Sequence, residues 1–206
     1  MKAKIILASF CCLAFVFTAR SQGFIYDQQA GGDNVTAETG FALTNQIVGQ
    51  SFKPGLSGID FVFLRFTDYD SNVGSGATVY LNLWSGSISN GTLLGATAPV
   101  FMPDGFGQGA YAGRITTNFF FASTISLTPG VTYFFQPVLQ SGDKQWTVNG
   151  NFTFGYANGS VISGGVNQTG FDLWFREGVI AVPEPSPAWL ALLGIGSLLG
   201  LGRRRK

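Results

Sequence analysis

The chain has 206 residues, a net charge of +1, 29 glycines, 20 phenylalanines and no histidine. Charged residues make up 11% of the sequence, well below the ~25% of an average soluble domain. The lack of histidine excludes Ser-His-Asp and Cys-His catalysis. If the only two cysteines, Cys11 and Cys12, are removed with an N-terminal signal, the usual zinc and copper sites are excluded as well, and carboxylates and hydroxyls are the catalytic groups that remain.

The N-terminal segment predicts a secretory signal peptide over residues 1–21. Two lysines precede an apolar stretch at residues 5–17, which covers only about 20 Å as a helix and is too short for a ~30 Å hydrocarbon core. Small residues stand at positions 19 and 21, so we expect signal peptidase to cut between Ser21 and Gln22. Both cysteines leave with this segment.

The exported part is mildly acidic. Residues 22–182 contain five basic and ten acidic side chains, which gives a net charge of −5. Because no basic patch is present to displace counterions, we expect no nucleic-acid partner.

Residues 22–180 are predicted to form an all-β ectodomain, an antiparallel β-sandwich that is jelly-roll-like. Glycine-rich turns separate short apolar stretches throughout, and no segment shows a helical period. Val79, Leu81 and Leu83 alternate with polar or aromatic residues, as in a strand with one buried face. We expect about ten strands without helices.

Two further stretches carry specific expectations. Residues 58–67 are almost continuously apolar, which predicts a strand covered on both faces. Residues 114–127 predict two strands that break near Ala122-Ser123. The sequence Thr128-Pro129-Gly130 predicts a turn, because proline presets the backbone of its second position.

The face opposite the buried side of the 78–84 strand is a candidate sugar-binding surface. Tyr80, Asn82 and Trp84 share that face, and an aromatic ring beside an amide can stack on a sugar and bind its hydroxyls. Trp146 and Trp174 are further candidates. The alternative is that a second sheet covers these residues and makes them core.

One loop is a candidate calcium site. Asp68, Asp70 and Asn72 place oxygen ligands at alternate positions after a strand, and an acidic extracellular domain suits a structural Ca²⁺. The match to an EF-hand loop fails at its glycine and glutamate positions. The alternative is a polar turn in which these side chains bind their own backbone.

No catalytic residue and no cofactor other than that calcium ion are expected, so the ectodomain is predicted not to be an enzyme. The alternative is a carbohydrate-active enzyme that uses only carboxylates, which would need two acids facing each other in a groove. Asp172 and Glu177 flank the end of a strand, and Arg176 is expected to pair with one of them. A purely structural matrix protein is a third possibility.

The C-terminal segment combines three ordered features. A linker at 181–187 holds Pro183, Glu184 and Pro185, which cannot continue a helix and should stay extended. An apolar stretch follows from Ala188 to Leu201. It ends in four basic residues: Arg203, Arg204, Arg205 and Lys206.

This arrangement resembles the PEP-CTERM sorting signal, which the membrane enzyme exosortase processes in bacteria that produce exopolysaccharide. The resemblance implies recognition at Pro183, Glu184 and Pro185, removal of the tail, and release or transfer of the body to the cell surface or extracellular matrix. Residues 188–206 would first form a membrane helix with a cytoplasmic basic stop. Signal peptidase, exosortase and the membrane are the expected partners, and polysaccharide is the candidate ligand. The alternative is a plain single-pass anchor.

Overall fold

A computed structural model describes residues 23–34, 39–44, 47–69, 74, 76–109, 115–142 and 145–181. The expected signal peptide with its cleavage site at Ser21 and Gln22, and the expected C-terminal helix with its basic stop, lie outside the described residues. No helix within the described ranges is long and apolar enough to cross a membrane. Residues 24–180 form one compact unit.

The described residues form two antiparallel sheets and contain no α-helix, which confirms the all-β prediction. The first sheet has the order β1-β14-β4-β10-β13, with β8 pairing β4 and β2 pairing β10. Its strands are β1 (Gly23–Ala30), β2 (Thr39–Ala42), β4 (Gly58–Asp68), β8 (Thr116–Ser126), β10 (Trp146–Asn151), β13 (Asp172–Leu173) and β14 (Phe175–Ala181).

The second sheet has the order β12-β11-β3-β9-β5-β6, with β7 pairing β5. Its strands are β3 (Val48–Phe52), β5 (Ala77–Ser85), β6 (Thr92–Ala96), β7 (Val100–Met102), β9 (Tyr133–Ser141), β11 (Val161–Ser163) and β12 (Val166–Gln168).

The core lies between the two sheets, as in a β-sandwich. Leu81 and Phe135 of the second sheet belong to the same buried cluster as Leu64 and Phe175 of the first sheet. The rings of Phe135 and Phe175 meet edge to face, with centroids 5.2 Å apart. Burying such side chains removes apolar surface from water, which is the main favourable contribution to folding. The jelly-roll connectivity stays a prediction.

Strand β4 is covered on both faces, as the sequence predicted. Every residue of β4 is buried except Asp60. One face packs into the core between the sheets, and the other carries Phe61 and Phe63, which form a separate buried cluster with Trp174.

The prediction that residues 114–127 form two separate strands is wrong. Strand β8 runs as one strand, but its ladder with β4 shifts register between Ile59 and Phe61. The bulge falls where the break was expected, and Phe121 forms an isolated bridge with Thr97 near the second sheet. A bulge bends a strand and can redirect it between sheets.

The turn at Thr128-Pro129-Gly130 is confirmed. The amide of Val131 donates to the carbonyl of Thr128 over 3.2 Å. Gly130 has a φ of 77°, the left-handed value that the third position of a type II turn requires.

Candidate functional site

Strand β5 separates core residues from a partly exposed outer face. Val79, Leu81 and Leu83 are fully buried, and Tyr80, Asn82 and Trp84 between them are partly exposed. The alternation follows from the period of two in a β-strand. The structure therefore places the three sugar-binding candidates of β5 together on the outside of the second sheet.

Strand β9 completes this face with a second aromatic ring and a second amide. Asn82 pairs with Gln136, and Trp84 pairs with Phe134. The indole Nε1 of Trp84 donates to Oε1 of Gln136 over 2.9 Å, which fixes the orientation of both side chains. We call Tyr80, Asn82, Trp84, Phe134 and Gln136 the amide–aromatic face.

Two exposed apolar side chains flank the amide–aromatic face. Leu93 pairs with Trp84 from β6 and is 48% exposed. Phe101 pairs with Thr78 from β7 and is 63% exposed. No outward-facing residue of β5 from Thr78 onward is charged, and none of β9 up to Val138 is charged.

The expectation that Trp146 and Trp174 lie on a sugar-binding surface is wrong, and Trp174 is 2% exposed. Trp146 is 0% exposed and belongs to the core cluster, with its ring 6.3 Å from that of Phe106. Every residue of β10 is buried, because the strand lies inside the first sheet and both of its faces are covered.

Asp68, the first of the three calcium candidates, is a buried residue that holds a turn. Its Oδ2 accepts a hydrogen bond from the amide of Gly105 over 2.9 Å, and its amide donates to Phe106 O. Its carbonyl accepts a bond from the side chain of Gln108. Asp70 and Asn72 lie outside the described residues. Within the described part of the chain, no cluster of three or more acidic side chains could hold a metal ion.

The outer face of the first sheet carries a second aromatic surface, which no sequence pattern had predicted. Phe24, Tyr26 and Phe120 are 40 to 44% exposed, and we call them the aromatic row. The ring of Phe24 lies 6.4 Å from that of Tyr26 and 6.2 Å from that of Phe120, at interplanar angles of 30° and 24°. The apolar sequence at 24–26 was the available signal for β1.

A cation–aromatic cluster lies beside the aromatic row. The guanidinium of Arg65 lies 4.1 Å from the ring centre of Trp174, a favourable cation–π arrangement. Arg176 forms a salt bridge of 2.5 Å with Asp33. The expectation that Arg176 pairs with Asp172 or Glu177 is therefore wrong, because alternation along β14 directs it to the outer face.

Asp172 lies in a buried polar network between the sheets. Its Oδ1 accepts a bond from Gln50 Nε2 over 3.0 Å, and its Oδ2 accepts one from the amide of Tyr156 over 2.9 Å. Burial raises the pKa of Asp172, and these two hydrogen bonds lower it in part.

Glu177 is the most unusual ionisable group in the described structure. It is 0% exposed, and neither carboxyl oxygen makes a hydrogen bond of normal geometry within the described ranges. Burial, and after it the nearby charge of Asp27, raise the pKa of Glu177 to about 9, although a contact with the backbone amide of Gln28 lowers it in part. Because Glu177 is enclosed, it has no access to a substrate in this structure.

A groove of about 340 Å³ opens beside the end of β1. Its lining residues carry no ionisable side chain: Gln29, Gly31, Gly32, Thr153 and Phe154. The groove therefore does not contain the pair of facing acids that a carboxylate-only glycosidase needs.

The last part of the chain matches a known family model. Residues 181–206 match the PEP-CTERM protein-sorting motif. The chain carries a PEP-CTERM sorting signal. The PEP-CTERM signal indicates export, processing by exosortase, and a surface or extracellular location. No curated protein matches this chain.

Proposed function

We propose that this PEP-CTERM protein is a non-enzymatic surface or matrix protein whose β-domain binds a neutral polysaccharide through the amide–aromatic face. The observation that carries the proposal is the hydrogen bond between Trp84 Nε1 and Gln136 Oε1, at 2.9 Å on the outside of the second sheet. It holds a large ring and an amide side by side before any ligand arrives. Fixing side chains in advance lowers the entropy cost of binding.

The chemistry of the face suits sugar rings. Trp84, Tyr80 and Phe134 offer apolar ring faces, and Asn82 and Gln136 offer donors and acceptors for hydroxyl groups. Since the surrounding outward positions of β5 and β9 are uncharged, an uncharged glycan is favoured over an anionic one.

The non-enzymatic part of the proposal rests on the positions of the acids. Asp68, Asp172 and Glu177 are buried, and the first two bind neighbouring backbone or side-chain groups. A carboxylate-only glycosidase remains the alternative, and release of reducing sugars from the bound polysaccharide would favour it.

Delivery is proposed to occur in two cuts. Signal peptidase would cut between Ser21 and Gln22, and the tail would then span the inner membrane with Arg203 to Lys206 in the cytoplasm. Exosortase would cut near Pro183, Glu184 and Pro185 and pass the body to the cell surface or matrix.

Binding is tested with the mature protein on neutral polysaccharide gels. Trp84→Ala should weaken binding about tenfold or more, as central aromatic residues do in other interfaces. Trp84→Phe, which keeps a ring but loses the donor to Gln136, should lie between Trp84→Ala and wild type. Phe152→Ala is the matched control, because Phe152 is 64% exposed in a segment after β10. Equal binding by all four proteins would contradict the proposed site, and no binding by wild type would favour a purely structural role.

Processing is tested by mass spectrometry of protein from culture medium and membranes. We expect an N-terminus at Gln22 and a C-terminus close to Pro185. The double substitution Pro183→Ala with Glu184→Ala should retain the tail in the membrane fraction, and Ser186→Ala should be cut normally. Normal cutting of the double variant would contradict recognition through the motif.

A further inference from the structure

Glu177 occupies a position that does not support a charged carboxylate. It lies on the inward side of β14, fully buried, and its two oxygens lack a donor of normal hydrogen-bond geometry in the part of the chain that the structure describes. Burying a charge without a partner is strongly unfavourable, so such a group normally stays neutral. Asp27 of β1 is the acidic side chain whose charge acts on Glu177.

Asp27, unlike Glu177, accepts several hydrogen bonds of normal geometry. Its Oδ2 accepts hydrogen bonds from the amides of Gly55 and Leu56, at 2.7 and 2.9 Å. Its Oδ1 accepts a bond from the Gln28 side chain over 3.2 Å. These three donors attach Asp27 to the neighbouring Gln28 and to the 53–56 loop. A protonated Glu177 can donate to this carboxylate, whereas an ionised Glu177 can only repel it.

We propose that Glu177 and Asp27 form a carboxyl pair that shares one proton, holds β1 and the 53–56 loop against β14, and releases them at alkaline pH. The proton resides on Glu177 and bonds to Asp27, and its loss leaves two adjacent negative charges. The pair is thus a pH-sensitive contact between β1 and β14.

No cationic side chain faces the pair from the elements packed against it in the described structure. Tyr156, from the segment after β10, and Asp172, from β13, are the other ionisable groups nearby. Lys53 contributes its backbone amide, which donates to Tyr156 Oη over 3.3 Å. Arg176, the neighbour of Glu177 in β14, pairs with Asp33 on the outer face. The backbone amide of Gln28 favours the ionised form of Glu177 in part, but burial and the charge of Asp27 outweigh it.

The sign of the pH dependence follows from the pKa of Glu177. In the unfolded chain the pKa of Glu177 is near the ordinary value of 4.5, whereas burial and the neighbouring Asp27 raise it to about 9 in the folded domain. Below pH 4.5 Glu177 is protonated in both the folded and the unfolded state, so the pair does not lower the stability of the fold. Between these two values only the unfolded state loses the proton, so the folding equilibrium constant falls by up to about tenfold per pH unit. Above pH 9 both states have lost the proton, and the folding constant falls no further.

The segment that opens is defined by the contacts of Asp27. Its bonds to Gly55 and Leu56 fasten the loop after β3, and its strand carries Phe24 and Tyr26 of the aromatic row. Release of β1 would uncover Phe61 and Phe63, which pack under those rings. We therefore expect protease access at residues 24–26 to increase at alkaline pH.

The test compares urea unfolding of the mature wild type with Glu177→Gln and Asp33→Asn between pH 5 and pH 9. Glutamine keeps the shape and a donor toward Asp27 but cannot ionise. We expect the wild-type folding constant to fall at least a hundredfold more than that of Glu177→Gln. The folding constant of Asp33→Asn, which removes an exposed carboxylate, should fall with pH in parallel with that of wild type. Parallel curves for all three proteins would overturn the proposal.

Two further measurements keep the proposal testable if Glu177→Gln folds poorly. Carbon NMR of the wild-type glutamate carboxyls should show one group that titrates several pH units above 4.5, and its absence would overturn the shared proton. Thermolysin should cleave wild type near residues 24–26 faster at pH 9 than at pH 6 relative to cleavage of an unstructured peptide. Stabilisation of wild type at pH 9 by added Ca²⁺ would instead identify a cation site and overturn the proton pair.

Discussion

Gln50 is a buried side chain that joins the two sheets. It lies in β3 of the second sheet and is 0% exposed. Its Nε2 donates to Asp172 Oδ1 over 3.0 Å, and its Oε1 accepts from the amide of Leu173 over 2.9 Å. Both partners belong to β13 of the first sheet, so this one amide satisfies two polar groups across the interface.

Replacing Gln50 with leucine should destabilise the domain by ~2.5–6 kcal/mol, the sum of two contributions. Leaving the buried amide of Leu173 without an acceptor costs ~1–3 kcal/mol, and loss of a hydrogen bond to a carboxylate costs ~1.5–3 kcal/mol. Leucine fills a similar volume, so little of the change comes from a cavity.

The assay is urea unfolding at pH 7, with Gln140→Leu as the control because Gln140 is exposed in β9. The control should change the free energy of unfolding by less than ~0.5 kcal/mol. The bond from Gln50 also lowers the pKa of Asp172 against the effect of burial. The difference between Gln50→Leu and wild type should therefore shrink as the pH falls to the ordinary Asp value of 3.8. A loss at pH 7 no larger than that of Gln140→Leu would refute this reasoning.

Two other substitutions test the packing of the sheets. Phe135→Ala should cost ~3–5 kcal/mol in urea unfolding, since Phe135 is fully buried between the sheets; a cost similar to that of the exposed Phe152→Ala would contradict this. Gly178→Ala should cost ~1–3 kcal/mol and speed proteolysis of β1, because the added Cβ would lie 1.9 Å from Ile25 O. Gly23→Ala is its control, since its added Cβ would meet nothing closer than 4.0 Å, and equal effects would argue against the clash.

Local patterns predicted much of the fold. The alternation of Val79, Leu81 and Leu83, the doubly covered strand β4 and the turn at 128–130 were all readable from adjacent residues. These features depend on side-chain period and backbone preference, which act over a few positions.

The sequence did not predict partners that are distant in the chain. Arg176 pairs with Asp33, which is 143 residues away, and this requires knowing that β1 lies beside β14. Trp146 has a local sequence much like that of a surface strand, and only the position of β10 inside the first sheet buries it. Three of the five residues of the proposed binding face were named from the sequence, and the other two, Phe134 and Gln136, join it only because β9 pairs with β5.

The boundary between body and tail predicts that processing leaves the folded domain unchanged. Strand β14 ends at Ala181, where the match to the sorting motif begins, and the Pro-Glu-Pro residues follow it in sequence. A cut near Pro185 therefore removes no residue of any described strand, and Phe175 and Glu177 keep their buried places. Since stability comes from those buried contacts, processed protein and uncut protein in detergent should unfold within ~0.5 kcal/mol of each other in the same buffer. A detergent-matched difference above ~2 kcal/mol would show that residues beyond Ala181 contribute to the fold of the domain.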